Sequence, residues 1–134
     1  MSSAPDSSAL EIDLWPKTKF ETDVVTPVSI LRRQAALLGE KTQQLVTADV
    51  STLVEHSSVT HRFRLVVPVL DNYKYELFSV THKVDQLYPL HGYAGNRFAP
   101  DIPDQSAFLR WLKEILSSES TLKKIDSLMA QAKS

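Results

Sequence analysis

The chain has 134 residues, 43% of them hydrophobic and 23% charged, and its 15 basic and 16 acidic residues leave a formal charge of −1. This is the length of one ordinary domain, long enough to bury a hydrophobic core unaided. The near-neutral charge argues against nucleic acid as the main partner. The absence of cysteine excludes disulfides, thiolate zinc sites and cysteine nucleophiles.

The N-terminal sequence MSSAPDSSALEIDLW lacks the basic region and apolar run of a secretory signal. No segment of the chain approaches the apolar length of a membrane span. We therefore expect a small soluble protein of the cytoplasm, with no nucleic-acid or membrane partner.

The first residues of the chain are small and polar, which predicts a flexible tail over 1–9 and a single domain over 10–134. The stretch LEIDLW then alternates apolar and acidic residues, a pattern typical of a strand. Its apolar members are Leu10, Ile12, Leu14 and Trp15. Two interpretations stay open: the strand packs on the protein's own sheet or core, or it adds to the sheet edge of another protein.

A first helix is predicted over 27–38. Thr26 is a good N-cap, Pro27 suits the first helical position, and Gly39 suits the left-handed residue that ends a helix. An apolar stripe that includes Leu31 faces the core.

Three β segments follow, QLVTADVSTLVE, HRFRLVVPVL and YKYELFSVTHK, and polar pairs at His56-Ser57 and Asp71-Asn72 separate them. This order predicts an antiparallel β-meander, with a short fourth strand at 87–90 that Pro89 would confine to an edge. The stretch 91–105 is rich in glycine and proline and is predicted to be a loop.

Two more helices complete the predicted chain. Asp104 or Ser106 caps a helix whose apolar residues include Phe108 and Trp111, and the serine-rich break SSES precedes the last helix. The predicted fold is α+β: an antiparallel meander of three to four strands covered on one face by helices, in the order helix–strands–helix–helix.

The turns also predict how the strands align. A two-residue turn at His56-Ser57 sets Val54 opposite Val59 and Asp49 opposite Arg64, a favourable charge pair. A turn at Asp71-Asn72, of two or four residues, sets Leu65 opposite Phe78 and His61 opposite His82; a three-residue loop would set His61 against Lys83 instead.

This alignment predicts one core face and one divided face. The core face carries Val46, Ala48, Val50, Val54, Val59, Phe63, Leu65, Val67, Phe78 and Val80. The second face has a polar end, with Asp49, Ser51, Arg62, Arg64, Ser79 and Thr81. It also has an apolar end, with Val66, Pro68, Leu70, Tyr73, Tyr75 and Leu77. That apolar end either buries another part of the chain or forms a partner or dimer surface.

Two sets of residues are candidates for binding. His61 and His82 could share a metal if a third ligand joined them, and His91, His56, Asp85 and Glu55 are the available donors. The alternatives are two half-buried histidines bonded to nearby backbone, or a pH-sensitive contact.

The second set lies in the 91–105 loop. Its residues His91, Tyr93, Asn96 and Arg97 could grip a carboxylate or phosphate, or the segment is only a connector.

No phosphate-binding glycine loop and no nucleophile elbow is present. We expect a non-enzymatic protein without a cofactor that acts through a protein partner or as a homodimer. The proposed surfaces are the second sheet face and the N-terminal strand. The alternative is a small-ligand or metal-binding protein, such as a hydrolase, that uses His61, His82 and the 91–105 loop.

Overall fold

A five-stranded antiparallel sheet carries three α-helices in the computed structural model, which describes residues 7–134. The helices are α1 (Pro27–Lys41), α2 (Gln105–Leu116) and α3 (Glu119–Ala132). The strands are β1 (Thr47–Glu55), β2 (Ser58–Val67), β3 (Tyr73–Lys83), β4 (His91–Ala94) and β5 (Arg97–Phe98), and they lie in that order across the sheet. The α+β class and the order of elements are confirmed, but the sheet has five strands rather than three or four.

The extra strands come from the predicted loop. His91–Ala94 and Arg97–Phe98 form a hairpin that pairs with β3, and Leu90 bridges to Ile102. Gly95 and Asn96 form its two-residue turn with φ of 59° and 63°, the conformation that suits a tight hairpin. The turn residues were visible in the sequence, but the flanking strands are too short to show a period of two. The predicted strand at 87–90 is wrong, because the fourth strand starts at His91.

Helix α1 begins as predicted but ends later. The Thr26 hydroxyl accepts a hydrogen bond from the Ser29 amide at 3.2 Å, and Pro27 follows it. Gly39 lies inside the helix, which continues to Lys41 and is capped by Thr42. A Cβ at Gly39 would lie 2.8 Å from the Gln44 side-chain oxygen, so this glycine permits a close approach instead of ending the helix.

Helices α2 and α3 begin at short polar caps. Asp104, one of the two predicted candidates, accepts a hydrogen bond from the Ala107 amide at 2.9 Å. Ser118 does the same for Thr121 at 3.2 Å at the start of α3. None of the helices in residues 7–134 is both long and apolar enough to cross a membrane.

The core lies between the helices and one face of the sheet. Phe63 and Phe78 stack with ring centroids 5.0 Å apart, and Trp111 of α2 meets Phe78 edge-on at 5.2 Å. Leu31 of α1 and Leu128 of α3 are buried in the same cluster. Of the predicted core face, Val54 is an exception: it is 61% exposed, near the tip of the β1–β2 hairpin.

The first hairpin follows the predicted alignment. His56 and Ser57 both have positive φ, Val54 pairs with Val59, and Asp49 pairs with Arg64. Two hydrogen bonds, of 2.8 and 3.2 Å, join the Arg64 guanidinium to the Asp49 carboxylate. Burial alone would raise the pKa of Asp49, but the hydrogen bonds and charges of Arg64 and Lys74 outweigh it and lower that pKa.

The predicted alignment of the second hairpin is wrong. His61 lies opposite Val80, and Phe63 lies opposite Phe78. Pro68 has no amide hydrogen for the sheet, so β2 ends at Val67 and a turn of 3-10 helix follows over Pro68–Leu70. The loop is therefore longer than the two or four residues that the prediction assumed.

A β-bulge then shifts the alignment again within the hairpin. Phe63 pairs with Phe78 but Arg64 pairs with Glu76, which leaves Leu77 as the extra residue. Beyond the bulge, Leu65 lies opposite Tyr75, so Tyr75 faces the helices rather than the opposite side of the sheet. The Lys124 ammonium of α3 lies 3.5 Å from the centre of the Tyr75 ring.

Candidate functional site

The two histidines of the second hairpin meet, although by a different route from the one predicted. His61 and His82 are diagonal neighbours on adjacent strands, and their Nε2 atoms lie 3.1 Å apart. Only 4% and 6% of their surfaces are exposed. The shifted alignment therefore keeps the predicted contact, since both residues remain on the same face of the sheet.

Hydrogen bonds hold both rings of this histidine pair in place. His82 Nδ1 faces two backbone carbonyl oxygens, of Lys83 at 2.7 Å and Gln86 at 2.9 Å, so it carries the hydrogen. The two Nε2 atoms share a hydrogen bond at 3.1 Å, and His61 Nδ1 is hydrogen-bonded to the Thr52 hydroxyl at 2.9 Å. Every ring nitrogen of the pair then has a partner.

The surroundings of the pair disfavour a positive charge. Burial lowers the pKa of His61 and the nearby charges of His82 and Arg32 act in the same direction, so that together they bring it from 6.5 to about 4. Within residues 7–134, no group of three or more His, Asp or Glu side chains is placed to hold a metal ion. The pair therefore stands without the third ligand that the metal hypothesis requires.

The candidate binding residues of the 91–105 segment lie in two places, on strand β4 and at the β4–β5 turn. His91 and Tyr93 lie on β4, on the sheet face that α1, α2 and α3 leave uncovered, which we call the open face. His91 Nδ1 lies 3.0 Å from an Asp101 oxygen, and the Tyr93 ring packs at 4.9 Å on Phe98. Asn96 lies in the hairpin turn, and Arg97 begins β5 and is exposed.

His91 and Tyr93 join polar residues that were assigned to the second face from the sequence. A shallow depression on the open face is lined by Thr60, Arg62, Glu76, Ser79, Thr81, His91, Tyr93 and Phe98. The prediction missed that β4 and β5 extend this face. The turn signal at Gly95-Asn96 was the one feature that could have shown it.

The charged groups in that depression already have partners. Arg62 lies 3.5 Å from Glu76, and the Thr60 and Thr81 hydroxyls are hydrogen-bonded at 3.0 Å. Both members of the ion pair are partly exposed, so water screens them. The open face therefore offers a charged ligand no unpaired cation at its centre.

The apolar end of the second face does not form as predicted. Leu70, Tyr75 and Leu77 pack against the core cluster and Val66 is buried, while Pro68 lies in the exposed turn. Tyr73 is 48% exposed, on the side of the sheet that the bulge turns towards the helices. The prediction that these six residues share the second face of the sheet is wrong, and whether any of them contacts another protein stays a prediction.

The predicted strand at residues 10–14 is also wrong. Residues Ser7–Leu10 form a short 3-10 helix, and no strand is present from there to Pro27. The first six residues of the predicted tail lie outside the described part of the chain. We call residues 10–25 the N-terminal arm.

The N-terminal arm carries seven of the fifteen large hydrophobic residues that are exposed in the described part of the chain. Its large hydrophobic residues, with their exposed fractions, are Leu10 (89%), Ile12 (59%), Leu14 (87%), Trp15 (73%), Phe20 (78%), Val24 (61%) and Val25 (50%). Trp15 and Phe20 meet edge-on with centroids 5.8 Å apart, a contact within the arm itself. The structure therefore has this stretch exposed rather than packed on its own sheet or core.

No family model matches the sequence, and no curated protein and no solved structure shows significant similarity to it.

Proposed function

We propose that this protein is a small non-enzymatic interaction protein that forms a homodimer through its N-terminal arm. The observation that carries the proposal is the run of seven large apolar side chains in the arm, each at least half exposed. Scattered exposed hydrophobic residues are normal, but seven of them within the sixteen residues 10–25 are typical of a segment that a partner covers.

The energy available from the arm is large enough for association. Full burial of one large apolar side chain is worth roughly 1.5–3 kcal/mol. Burial of half of the arm's apolar surface would then supply on the order of 5–10 kcal/mol before the entropy cost of association. The low net charge adds little repulsion between two copies.

The ligand-binding or metal-binding alternative has less support. The histidine pair is buried without a third ligand in residues 7–134, and the charged side chains in the open-face depression are paired with one another. The His91–Asp101 contact is the feature that favours it most, but both side chains are mainly exposed. The expectations of a cytoplasmic location and of no nucleic-acid partner rest, as before, on the absence of cysteine and on the charge balance.

The oligomeric state of the full chain tests the proposal. We expect a dimer by light scattering and native mass spectrometry at micromolar concentrations, and a monomer after the double substitution Leu14→Ser and Trp15→Ser. The control is Leu122→Ser on α3, which removes a residue that is 54% exposed outside the arm and should leave the dimer intact.

The fold of the Leu14→Ser, Trp15→Ser variant has to be checked, so that loss of the dimer is not confused with unfolding. Because the arm buries none of these side chains on its own domain, the variant monomer should keep its circular dichroism spectrum. A wild-type chain that stays monomeric at every concentration, and that retains no protein partner through its arm, would overturn the proposal.

A further inference from the structure

One edge of the sheet is long and open. Strand β1 pairs with β2 along all nine of its residues, and no strand lies on its outer side among residues 7–134. The opposite edge, β5, has only two residues. Because the outward amides and carbonyls of an edge strand lack sheet partners, β1 is a template for a further strand.

A groove runs between this edge and helix α1. Its floor has small and apolar residues, and polar side chains line it as well. The small and apolar residues are Ala35, Ala36, Gly39, Ala48 and Val50, and the polar ones are Arg32, Glu40, Gln44 and Thr47. The groove, which we call the edge groove, lies on the helix side of β1. Side chains of a strand added beside β1 would enter it at every second position.

The first part of the N-terminal arm has the pattern that such a strand needs. Leu10, Ile12 and Leu14 alternate with Glu11 and Asp13, so an extended backbone places the three apolar side chains on one side. All three are mainly exposed in the single chain.

We propose that residues 10–15 of one chain add as a sixth strand to β1 of a second copy, with Leu10, Ile12 and Leu14 in the edge groove. This inference rests on the proposed function and names the surface that receives the arm. Because each chain carries one arm and one open edge, reciprocal exchange satisfies both at once in a closed two-fold dimer.

The charges on the open-face side of β1 differ between its two ends. With the apolar side chains in the edge groove, Glu11 and Asp13 would lie on this side. At one end Asp49 is paired with two cations, Arg64 and Lys74, so that end favours an acidic neighbour over a basic one. At the other end Glu55 lies on the same side and disfavours an acidic neighbour.

The main competing occupant is the arm of the same chain. The eleven residues between Trp15 and Pro27 could span up to roughly 36 Å when fully extended, so a return of the arm to its own sheet has to be tested. The experiment therefore has to separate exchange between two chains from closure within one chain.

Disulfide trapping makes that separation, and the chain has no cysteine that would interfere. The variants Glu11→Cys and Asp13→Cys are each mixed with a mass-tagged Ser51→Cys variant and oxidised with glutathione disulfide. Side chains on neighbouring strands bring their Cβ atoms within disulfide range. The two arm positions sample two alignments on the open-face side of β1.

The matched control replaces Ser51→Cys by Phe98→Cys, on the short β5 edge, where the side chain is 83% exposed. We expect at least one arm position to form the mixed disulfide with Ser51→Cys roughly tenfold more than with Phe98→Cys, because pairing raises the local thiol concentration. The Leu14→Ser and Trp15→Ser changes should abolish that excess.

The other possible results of the trapping experiment decide between exchange of arms, closure within one chain and no role for the arm. An arm-dependent dimer without excess trapping at Ser51 overturns this inference and leaves the proposed function standing. A chain that carries both Asp13→Cys and Ser51→Cys and closes on itself, while the mixed variants give no product, shows that the arm covers its own edge and overturns the exchange. A wild-type monomer with no arm-dependent partner overturns both.

Discussion

Acidification should destabilise this protein through His61. The folded chain holds this imidazole neutral, since burial together with the charges of His82 and Arg32 lowers its pKa from 6.5 to about 4. Between those two values the unfolded chain binds a proton that the folded chain does not. The His61 contribution to the free energy of unfolding is therefore complete above the unfolded pKa and decreases as pH falls from 6.5 towards 4.

The size of the effect follows from the two pKa values. At about pH 5 the His61 side chain is mainly protonated in the unfolded chain and mainly neutral in the folded chain. A difference of one in pKa is worth about 1.4 kcal/mol, so the free energy of unfolding should fall by roughly 2 kcal/mol between about pH 7 and pH 5. Near pH 4 the total loss from this residue approaches on the order of 3 kcal/mol.

Urea unfolding at the two pH values measures this directly, with His61→Gln as the informative variant and His91→Gln as its control. At about pH 7 His61→Gln should be less stable by about 1–3 kcal/mol, because its neighbours lose well-placed hydrogen bonds. It should no longer show the loss on acidification. His91 is 57% exposed, so His91→Gln should keep the wild-type response. A full wild-type loss in His61→Gln would refute the argument that this buried imidazole is the source.

Three further substitutions test packing in the same urea assay. The Tyr88 hydroxyl is buried without a hydrogen-bond partner in the described part of the chain, so Tyr88→Phe should raise the free energy of unfolding by up to about 1 kcal/mol; a large loss would mean that the hydroxyl has a partner after all. A Cβ at Gly92 would lie 2.6 Å from a ring carbon of Trp111, so Gly92→Ala should lower the free energy of unfolding by about 1–3 kcal/mol. A Cβ at Gly39 would meet mainly the flexible end of the Gln44 side chain, so Gly39→Ala should lower it by less. Equal stability of the two alanine variants would contradict the close packing of α2 on β4.

The first hairpin shows what sequence reasoning could reach. His56-Ser57 is a two-residue turn between strands of clear alternation, and Asp49 and Arg64 confirm the alignment by their ion pair. Helix starts were equally accessible, since Thr26 and Asp104 act on amides only three residues away. Such features depend on neighbours in sequence, so local chemistry is sufficient to predict them.

The second hairpin shows where that reasoning stops. Pro68 in the sequence marked the end of β2, but the prediction ran the strand through it to Leu70. The sequence around Leu77 carries no signal for the bulge, which lets both Phe78 and Tyr75 face the helices. The extra residue places Tyr75 on the side of the sheet that the helices cover. The apolar end of the second face that was predicted from the sequence therefore does not form.

The predicted contact between His61 and His82 is present although the predicted pairing of their strands is wrong, and the reason is geometric. A shift of two residues in pairing preserves the face of each side chain, so His61 and His82 still lie on the same side and meet diagonally. The sequence could place both histidines on one face. It could not show that the pair is sealed from water and bonded to Thr52 and to backbone carbonyls.

By itself, the sequence determined the class of fold, the order of its elements, the starts of the helices and the first strand alignment, since these follow from periodicity and from turns and caps of a few residues. Only the tertiary structure decided which surfaces are free, because exposure depends on contacts between distant segments. The N-terminal arm is the clearest case. Its alternation shows that residues 10–14 can form a strand, but a strand needs a partner edge, and within residues 7–134 the long open edge is β1.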